Sequence, residues 1–176
     1  MILLIYGESH TGKTALANQL MKKMNISILS IDHLKMGLIR SGITKLTVYE
    51  DDKLTEYLWK IIKEIIKTAI ENKQDLIIEG IYIPFNWKED FEEVYLQEIN
   101  DLCLVMSEKY IENNYNEITK YADVVEKRVS DDLNKEELIT GNKHNLKMCQ
   151  ENNLNYYLID ECYDSDDIIN YFFEKK

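Results

Sequence analysis

Short, nearly continuous apolar segments alternate along the chain with longer segments in which apolar residues recur at helical spacing. The apolar segments occupy residues 2–6, 26–30, 76–79, 102–106 and 156–159. Strands that are buried on both faces have this near-continuous pattern, and alternation with helices is typical of parallel sheets. The pattern therefore predicts an α/β fold with five strands in one parallel sheet.

The helical segments are predicted from their spacing and their flanking residues. Leu16, Leu20 and Met24 recur at four-residue spacing after the first strand, as on one face of a helix. A long helix is predicted from 52 to 72 and a last helix from 165 to 176. We find no internal repeat and no linker, so residues 1–176 are predicted to form one domain. The charged, mostly helical region at about 107–145 is predicted to form a lid.

Composition narrows the possible functions. The chain has 176 residues and a net charge of -11, which argues against nucleic acid or a membrane surface as a partner. Cys103, Cys149 and Cys162 form no C-x-x-C pair, and no apolar run approaches the roughly 20 residues of a membrane span. We expect a soluble cytoplasmic protein with a small-molecule substrate, and the oligomeric state stays open.

The first strand leads directly into a phosphate-binding motif. Residues 7–14 read G-E-S-H-T-G-K-T, which matches the pattern G-x-x-x-x-G-K-[ST] between a strand and a helix. The two glycines let backbone N–H groups face phosphate oxygens, the lysine reaches the β- and γ-phosphates, and the final hydroxyl ligates Mg²⁺. We predict that the nucleotide is contacted by Gly7, Glu8, Ser9, His10, Thr11, Gly12, Lys13, Thr14 and Ala15.

The second strand is followed by an acidic residue, Asp32. Ligands bind at the carboxyl edge of an open α/β sheet, which places Asp32 where a phosphate acceptor would lie. A carboxylate there can orient an acceptor hydroxyl and take its proton. The alternative is that Asp32 caps the helix that follows it.

The third strand ends in Glu79 and Gly80. An acid at this position in a P-loop protein holds the metal shell, so Thr14 and Glu79 are the predicted Mg²⁺ residues. Gly80 would let the backbone pass close to the acceptor. Tyr82 and the aromatic residues after it are predicted either to wall an acceptor pocket or to belong to the core.

The chain contains two arginines, Arg40 and Arg128, whereas its other basic side chains are lysines and histidines. A guanidinium is suited to bidentate contact with phosphate. Arg40 is therefore a candidate for acceptor binding. Arg128, in the predicted lid, is a candidate for stabilising the transferred phosphoryl group, together with Lys13. The alternative for both arginines is a surface ion pair.

These residues resemble those of the small P-loop kinases related to nucleoside monophosphate kinases. The resemblance implies a three-layer α/β/α fold with strand order 2-3-1-4-5, and transfer of the γ-phosphate of ATP with Mg²⁺. In the adenylate-kinase-like branch the second strand ends in T-G-D-x-L-R, against which residues 30–35 align with departures. The E-G-x-x-x-P spacing at residues 79–84 is similar to 2-phosphoglycerate-kinase-like proteins, one of a branch that also includes shikimate, gluconate, chloramphenicol and zeta-toxin-type kinases.

The preferred interpretation is a kinase that phosphorylates a hydroxyl of a small molecule with Asp32 as base. An adenylate-like nucleoside monophosphate kinase is the alternative within the same fold. A GTPase-like switch is a further alternative, because Asn142, Lys143, His144 and Asn145 resemble the guanine-binding N-K-x-D motif except for its final Asp. The last alternative is a regulator that binds nucleotide without catalysis. Such a protein would not need Asp32 as a base.

Overall fold

Strands and helices alternate along the chain as the apolar pattern predicts. The structure is a computed structural model that describes residues 1–125 and 134–174, and the predicted lid arginine, Arg128, lies outside these residues. The strands are β1 (Ile2–Gly7), β2 (Ser27–Ser30), β3 (Leu76–Glu79), β4 (Ile99–Met106) and β5 (Tyr156–Ile159). The helices are α1 (Lys13–Met24), α2 (Ile31–Arg40), α3 (Asp51–Glu71), α4 (Glu93–Leu96), α5 (Glu108–Val125), α6 (Lys135–Glu151) and α7 (Ser165–Glu174), with a short 3₁₀ helix at Trp87–Asp90.

The five strands form one sheet in the order β2-β3-β1-β4-β5, and each neighbouring pair is parallel. This confirms the predicted strand order and the predicted fold class. In an open sheet of this order, the carboxyl ends of β1, β2 and β3 lie side by side at one edge. The loop after β1, the start of α2 and the segment after β3 are therefore brought together.

The predicted start of the fourth strand differs from the structure because the strand contains polar residues. The fourth strand begins at Ile99, earlier than its apolar run, and includes the buried Asp101. The Asp101 carboxylate accepts hydrogen bonds from the Tyr6 hydroxyl at 2.8 Å and from Asn155, which allows a charged residue inside the sheet. Burial raises the pKa of Asp101. The second helix, α2, begins directly after β2 at Ile31.

The core lies on both faces of the sheet, because side chains alternate along the central strand. Ile2, Leu4 and Tyr6 of β1 pack with α3 on one face, whereas Leu3 and Ile5 pack with α1 and α7 on the other. This is the three-layer arrangement expected for a parallel sheet. Among the described helices, none has the length and apolar character needed to cross a bilayer.

Gly80 joins β3 to the next segment at a point where two chain segments meet closely. Its φ is +157°, and a Cβ built on it would lie 2.8 Å from the Ile31 Cβ at the start of α2. The absence of a side chain at Gly80 therefore lets β2, α2 and β3 pack together at the carboxyl edge.

We expect Gly80→Ala to lower the free energy of unfolding by about 2–3 kcal/mol, because both the backbone angle and the Ile31 contact oppose a Cβ. Gly37→Ala is the matched control, because Gly37 lies in α2 with open space around it. There the change should raise stability by about 0.5–1 kcal/mol through helix propensity. Urea unfolding of both variants measures the difference, and equal effects would contradict this packing.

Candidate functional site

The loop between β1 and α1 forms a closed turn around a lysine ammonium. Gly12 has a left-handed φ of 85°, and α1 begins at the next residue. Lys13 is largely buried, and its Nζ donates a hydrogen bond to the Glu8 carbonyl at 2.6 Å, while the Thr11 hydroxyl donates to the same oxygen at 2.9 Å. The ammonium and the N-terminus of α1 therefore lie together, which is the arrangement that attracts a phosphate chain.

Tyr163, from the segment after β5, packs against this loop. Its hydroxyl donates a hydrogen bond to the Gly12 carbonyl at 3.0 Å, and a Cβ on Gly12 would overlap its ring. Burial raises the pKa of the Tyr163 hydroxyl to about 12. Gly12 is thus required both by its backbone angle and by this contact. Sequence patterns did not single out Tyr163, and the one signal that could have done so is its position just beyond the carboxyl end of β5.

The Glu8 side chain contacts protein groups beside the loop. One carboxylate oxygen accepts a hydrogen bond from the Ser9 N–H at 2.8 Å. The other lies so close to Gly141 that a Cβ on this residue would clash with it. Gly141 is inside α6, where a glycine costs helix stability. Its lack of a side chain lets α6 approach the phosphate-binding loop.

Thr14 and Glu79, the two predicted metal residues, are in direct contact. The Thr14 hydroxyl donates a hydrogen bond to Glu79 Oε2 at 3.0 Å, which joins α1 to the end of β3. Glu79 is 1% exposed, and its Oε1 is buried without a hydrogen-bond partner in the part of the chain that the structure describes. A buried carboxylate oxygen is costly unless a cation or a donor meets it.

Mg²⁺ fits this pair of residues. Hard oxygen ligands, one hydroxyl and one carboxylate beside a phosphate-binding loop, are what Mg²⁺ uses when phosphates complete its shell. Ser30 is paired with Glu79 on the neighbouring strand, and its buried hydroxyl also lacks a partner within residues 1–125 and 134–174. Both orphaned oxygens belong to side chains on the same face of the sheet, next to α1.

Asp32 belongs to a hydrogen-bonded chain of side chains at the same sheet edge. Lys35 Nζ donates to Asp32 Oδ1 at 2.5 Å and contacts the Tyr82 hydroxyl oxygen at 3.0 Å. The Tyr82 hydroxyl donates to Asp51 Oδ1 at 2.8 Å, at the first residue of α3. Because Asp32 is the residue predicted to meet a phosphate acceptor, we call Asp32, Lys35, Tyr82 and Asp51 the acceptor-edge network. Lys35 was not singled out by the sequence, because nothing but its spacing from Asp32 distinguishes it from other lysines.

The capping interpretation of Asp32 is wrong in its detail. The N-cap of α2 is Ser30, and Asp32 lies one residue inside the helix, where its carboxylate binds Lys35. A negative charge in this first turn still interacts favourably with the helix dipole. Of the two alternatives for Tyr82, the structure confirms the core, because its side chain is 1% exposed, and its hydroxyl also contacts Lys35.

Arg40 and the segment that resembles the N-K-x-D motif do not belong to the acceptor-edge network. Arg40 is exposed at the last turn of α2, about 12 Å along the helix axis from Asp32. Asn142 lies within α6, where its side chain accepts a hydrogen bond from the Met106 N–H at 2.8 Å and donates one to the Leu138 carbonyl. Asn142 therefore anchors α6 to the end of β4, which gives this segment a packing role in place of guanine binding.

Mg²⁺ should raise the affinity for ATP. We expect Glu79→Gln to reduce this gain in affinity by about ten-fold, because the amide cannot replace the carboxylate charge next to Thr14. Calorimetric titration with ATP in Mg²⁺ and in EDTA measures this effect. Glu89→Gln is the control, since Glu89 is an exposed acid in the 3₁₀ helix. An unchanged response to Mg²⁺ in Glu79→Gln would exclude Glu79 from the metal shell.

Tyr163→Phe should weaken ATP binding roughly three- to ten-fold, because a hydrogen bond that fixes the loop contributes about 1 kcal/mol. Tyr171→Phe is a matched control: its hydroxyl also donates to a backbone carbonyl, that of Tyr156, at 2.9 Å, but away from the loop. Fluorescence titration with a labelled ATP analogue compares the two variants. Equal losses of affinity would mean that Tyr163 acts through stability alone.

Solved kinases share this architecture. No protein-family model and no curated protein sequence matches the chain. A sugar kinase from Janibacter sp. HTCC2649 is 14% identical over 98% of this chain and 94% of its own, with a TM-score of 0.59. A deoxyadenosine kinase from M. mycoides is 16% identical over 99% and 98%, with a TM-score of 0.55. A gluconokinase from Sinorhizobium meliloti 1021 is 11% identical over 96% and 86%, with a TM-score of 0.53. The chain therefore shares its fold, a five-stranded parallel sheet between helices, with these solved kinases.

Proposed function

We propose that the protein is an ATP-dependent kinase that transfers the γ-phosphate to a hydroxyl group of a small molecule. The observation that carries this proposal is the arrangement at one sheet edge of a phosphate-binding loop, the Thr14–Glu79 pair and Asp32. A donor site and a candidate base thus occupy neighbouring strand ends, as an in-line transfer requires.

On the donor side, Lys13 is the residue that binds the transferred phosphate. Its ammonium is held within the loop through the Glu8 carbonyl, so a phosphate oxygen replaces a neutral acceptor with a charged one. When bound, Mg²⁺ would supply positive charge that offsets the negative charge of the phosphate groups. Thr14 and Glu79 are the residues that would hold it, and the tyrosine hydroxyl of Tyr163 keeps the loop in place.

On the acceptor side, Asp32 orients the hydroxyl and takes its proton as the new bond forms. Lys35 fixes the carboxylate through a 2.5 Å contact, and Tyr82 fixes Lys35 in turn. Asp32 retains about a quarter of its exposure, so a substrate hydroxyl can reach its second oxygen. The helix α2 thus contributes to the rate of phosphate transfer by orienting the Asp32 carboxylate through this network.

The solved kinases with matching folds support a hydroxyl acceptor. They are named for a sugar, for gluconate and for deoxyadenosine, each of which carries hydroxyl groups. We extend this to the present chain as part of the proposal. Three free cysteines, two of them buried, fit a protein of the reducing cytosol.

The test is Asp32→Asn, assayed for ADP formation with Mg-ATP and a panel of sugars, nucleosides, nucleoside monophosphates and hydroxylated acids. We expect the acceptor-dependent turnover to fall by about 10²–10⁴-fold, because the amide cannot accept the proton, with ATP affinity changed less than about two-fold. His33→Ala, at the exposed neighbouring position, should retain turnover.

Unchanged turnover in Asp32→Asn would exclude Asp32 as the base. Acceptor-dependent turnover with nucleoside monophosphates alone would favour the adenylate-like alternative. ATP binding without acceptor-dependent ADP formation across the panel would favour a non-catalytic nucleotide-binding regulator.

A further inference from the structure

Glu8 supplies the oxygen atoms on which the phosphate-binding loop closes. The Ser9 N–H donates a hydrogen bond to Glu8 Oε1 at 2.8 Å, and Lys13 Nζ donates one to the Glu8 carbonyl oxygen at 2.6 Å. The Thr11 hydroxyl donates to the same carbonyl oxygen at 2.9 Å. Backbone N–H groups and an ammonium are the donors with which such a loop binds phosphate. A phosphate oxygen that enters this part of the loop therefore meets donors that already bind Glu8.

The Glu8 carboxylate lies at the γ-phosphate end of the loop. In a loop of this sequence the lysine ammonium reaches the β- and γ-phosphates, and Lys13 Nζ contacts the Glu8 carbonyl oxygen. Gly12 and the N-terminus of α1 close the other end of the loop, where backbone N–H groups meet the phosphates nearer to the nucleoside. The carboxylate is therefore close to the group that distinguishes ATP from ADP.

The helix α6 also fixes the position of this carboxylate. Gly141 lies inside α6, and a Cβ built on it would lie 2.8 Å from Glu8 Cδ and would clash with Glu8 Oε2. A glycine inside a helix lowers helix stability, but its missing side chain leaves the space that the carboxylate fills. Two separate parts of the chain, the Ser9 N–H and α6, thus hold the same carboxylate at the loop.

A carboxylate in this position opposes a further anion. Glu8 is half-buried, so its charge is screened less than the charge of an exposed acid. A hydrogen bond from an N–H group to a charged acceptor is stronger than one to a neutral acceptor, which makes the Ser9 N–H costly to release. A γ-phosphate therefore meets both repulsion from the Glu8 carboxylate and competition for this donor.

We propose that Glu8 determines how strongly the loop distinguishes ATP from ADP. Its carboxylate competes with the γ-phosphate for the Ser9 N–H and repels it, so Glu8 lowers the affinity for ATP more than the affinity for ADP. This proposal rests on the nucleotide-binding part of the proposed function and does not depend on the acceptor. Glu8 is thus a specificity-determining residue of the donor site, and the ligand that it acts against is a nucleoside triphosphate.

The first experiment removes the charge of Glu8 and keeps the size of its side chain. We expect Glu8→Gln to raise the affinity for Mg-ATP about three- to ten-fold and the affinity for Mg-ADP less than about two-fold, measured by titration calorimetry. Glu117→Gln is the matched control, because Glu117 is an exposed acid on α5, and it should change neither affinity. An unchanged or lower ATP affinity in Glu8→Gln, or equal gains for ATP and ADP, would overturn the proposal.

A second experiment moves the carboxylate without changing the loop sequence. In Gly141→Ala the new methyl group displaces the Glu8 carboxylate, so the ATP affinity should change at least about three-fold. In the Glu8→Ala background the same change should alter ATP affinity less than about two-fold, because the group that it displaces is gone. Gly37→Ala, with open space around Gly37, is the control for a helical glycine. Equal effects of Gly141→Ala in both backgrounds would overturn the proposal, and urea unfolding verifies that each variant is folded.

These affinities are measured without an acceptor, so they separate this proposal from the proposed function. The expected affinities together with no acceptor-dependent ADP formation would contradict the phosphate transfer and support the role of Glu8. Acceptor-dependent turnover with no effect of Glu8→Gln on ATP affinity would overturn the role of Glu8 alone. Absence of ATP binding in the unmodified protein and in every variant would overturn both.

Discussion

The hydrogen bond between Thr14 and Glu79 is the contact around which the rest of the site is arranged. It joins the first turn of α1 to the end of β3 and holds a carboxylate that is 1% exposed. Such a buried charge is tolerated where other groups or a cation meet it. The left-handed Gly12 turns the chain into α1, which brings Thr14 into place, and Gly80 lets β3 approach Ile31. The loop proposed to bind phosphate and the carboxylate proposed to bind the metal are thereby fixed to one sheet.

The acceptor-edge network follows from the same parallel topology. Because β2 pairs with β3 in register, Ser30 lies opposite Glu79, and the helix that begins at Ile31 carries Asp32 to the same edge. Lys35 then binds Asp32 one turn later, and Tyr82, two residues after Gly80, binds Lys35. The groups proposed for the donor and for the acceptor therefore lie on adjacent strands, and we expect a change in packing between β2 and β3 to affect both.

The fold was predictable because five apolar runs and one strand–loop–helix motif define it. The strand order agrees with the order that the resemblance to small P-loop kinases implied, and Thr14 and Glu79, both predicted as metal residues, lie in direct contact. The sequence did not reveal Tyr163 or Lys35, since their roles come from contacts between segments far apart or from side-chain direction, which local patterns do not encode. Asn142 resembled a guanine-binding residue but packs α6 against β4, because a four-residue match carries no information on burial.

The central claim is that the γ-phosphate of ATP is transferred to a hydroxyl at the edge where Asp32 lies. The most direct measurement is ³¹P NMR of the products formed from Mg-ATP and each compound of the acceptor panel. The account predicts ADP together with a new phosphomonoester resonance that depends on both the acceptor and Asp32. Formation of ADP with inorganic phosphate alone, or of a nucleoside diphosphate from a monophosphate, would contradict it.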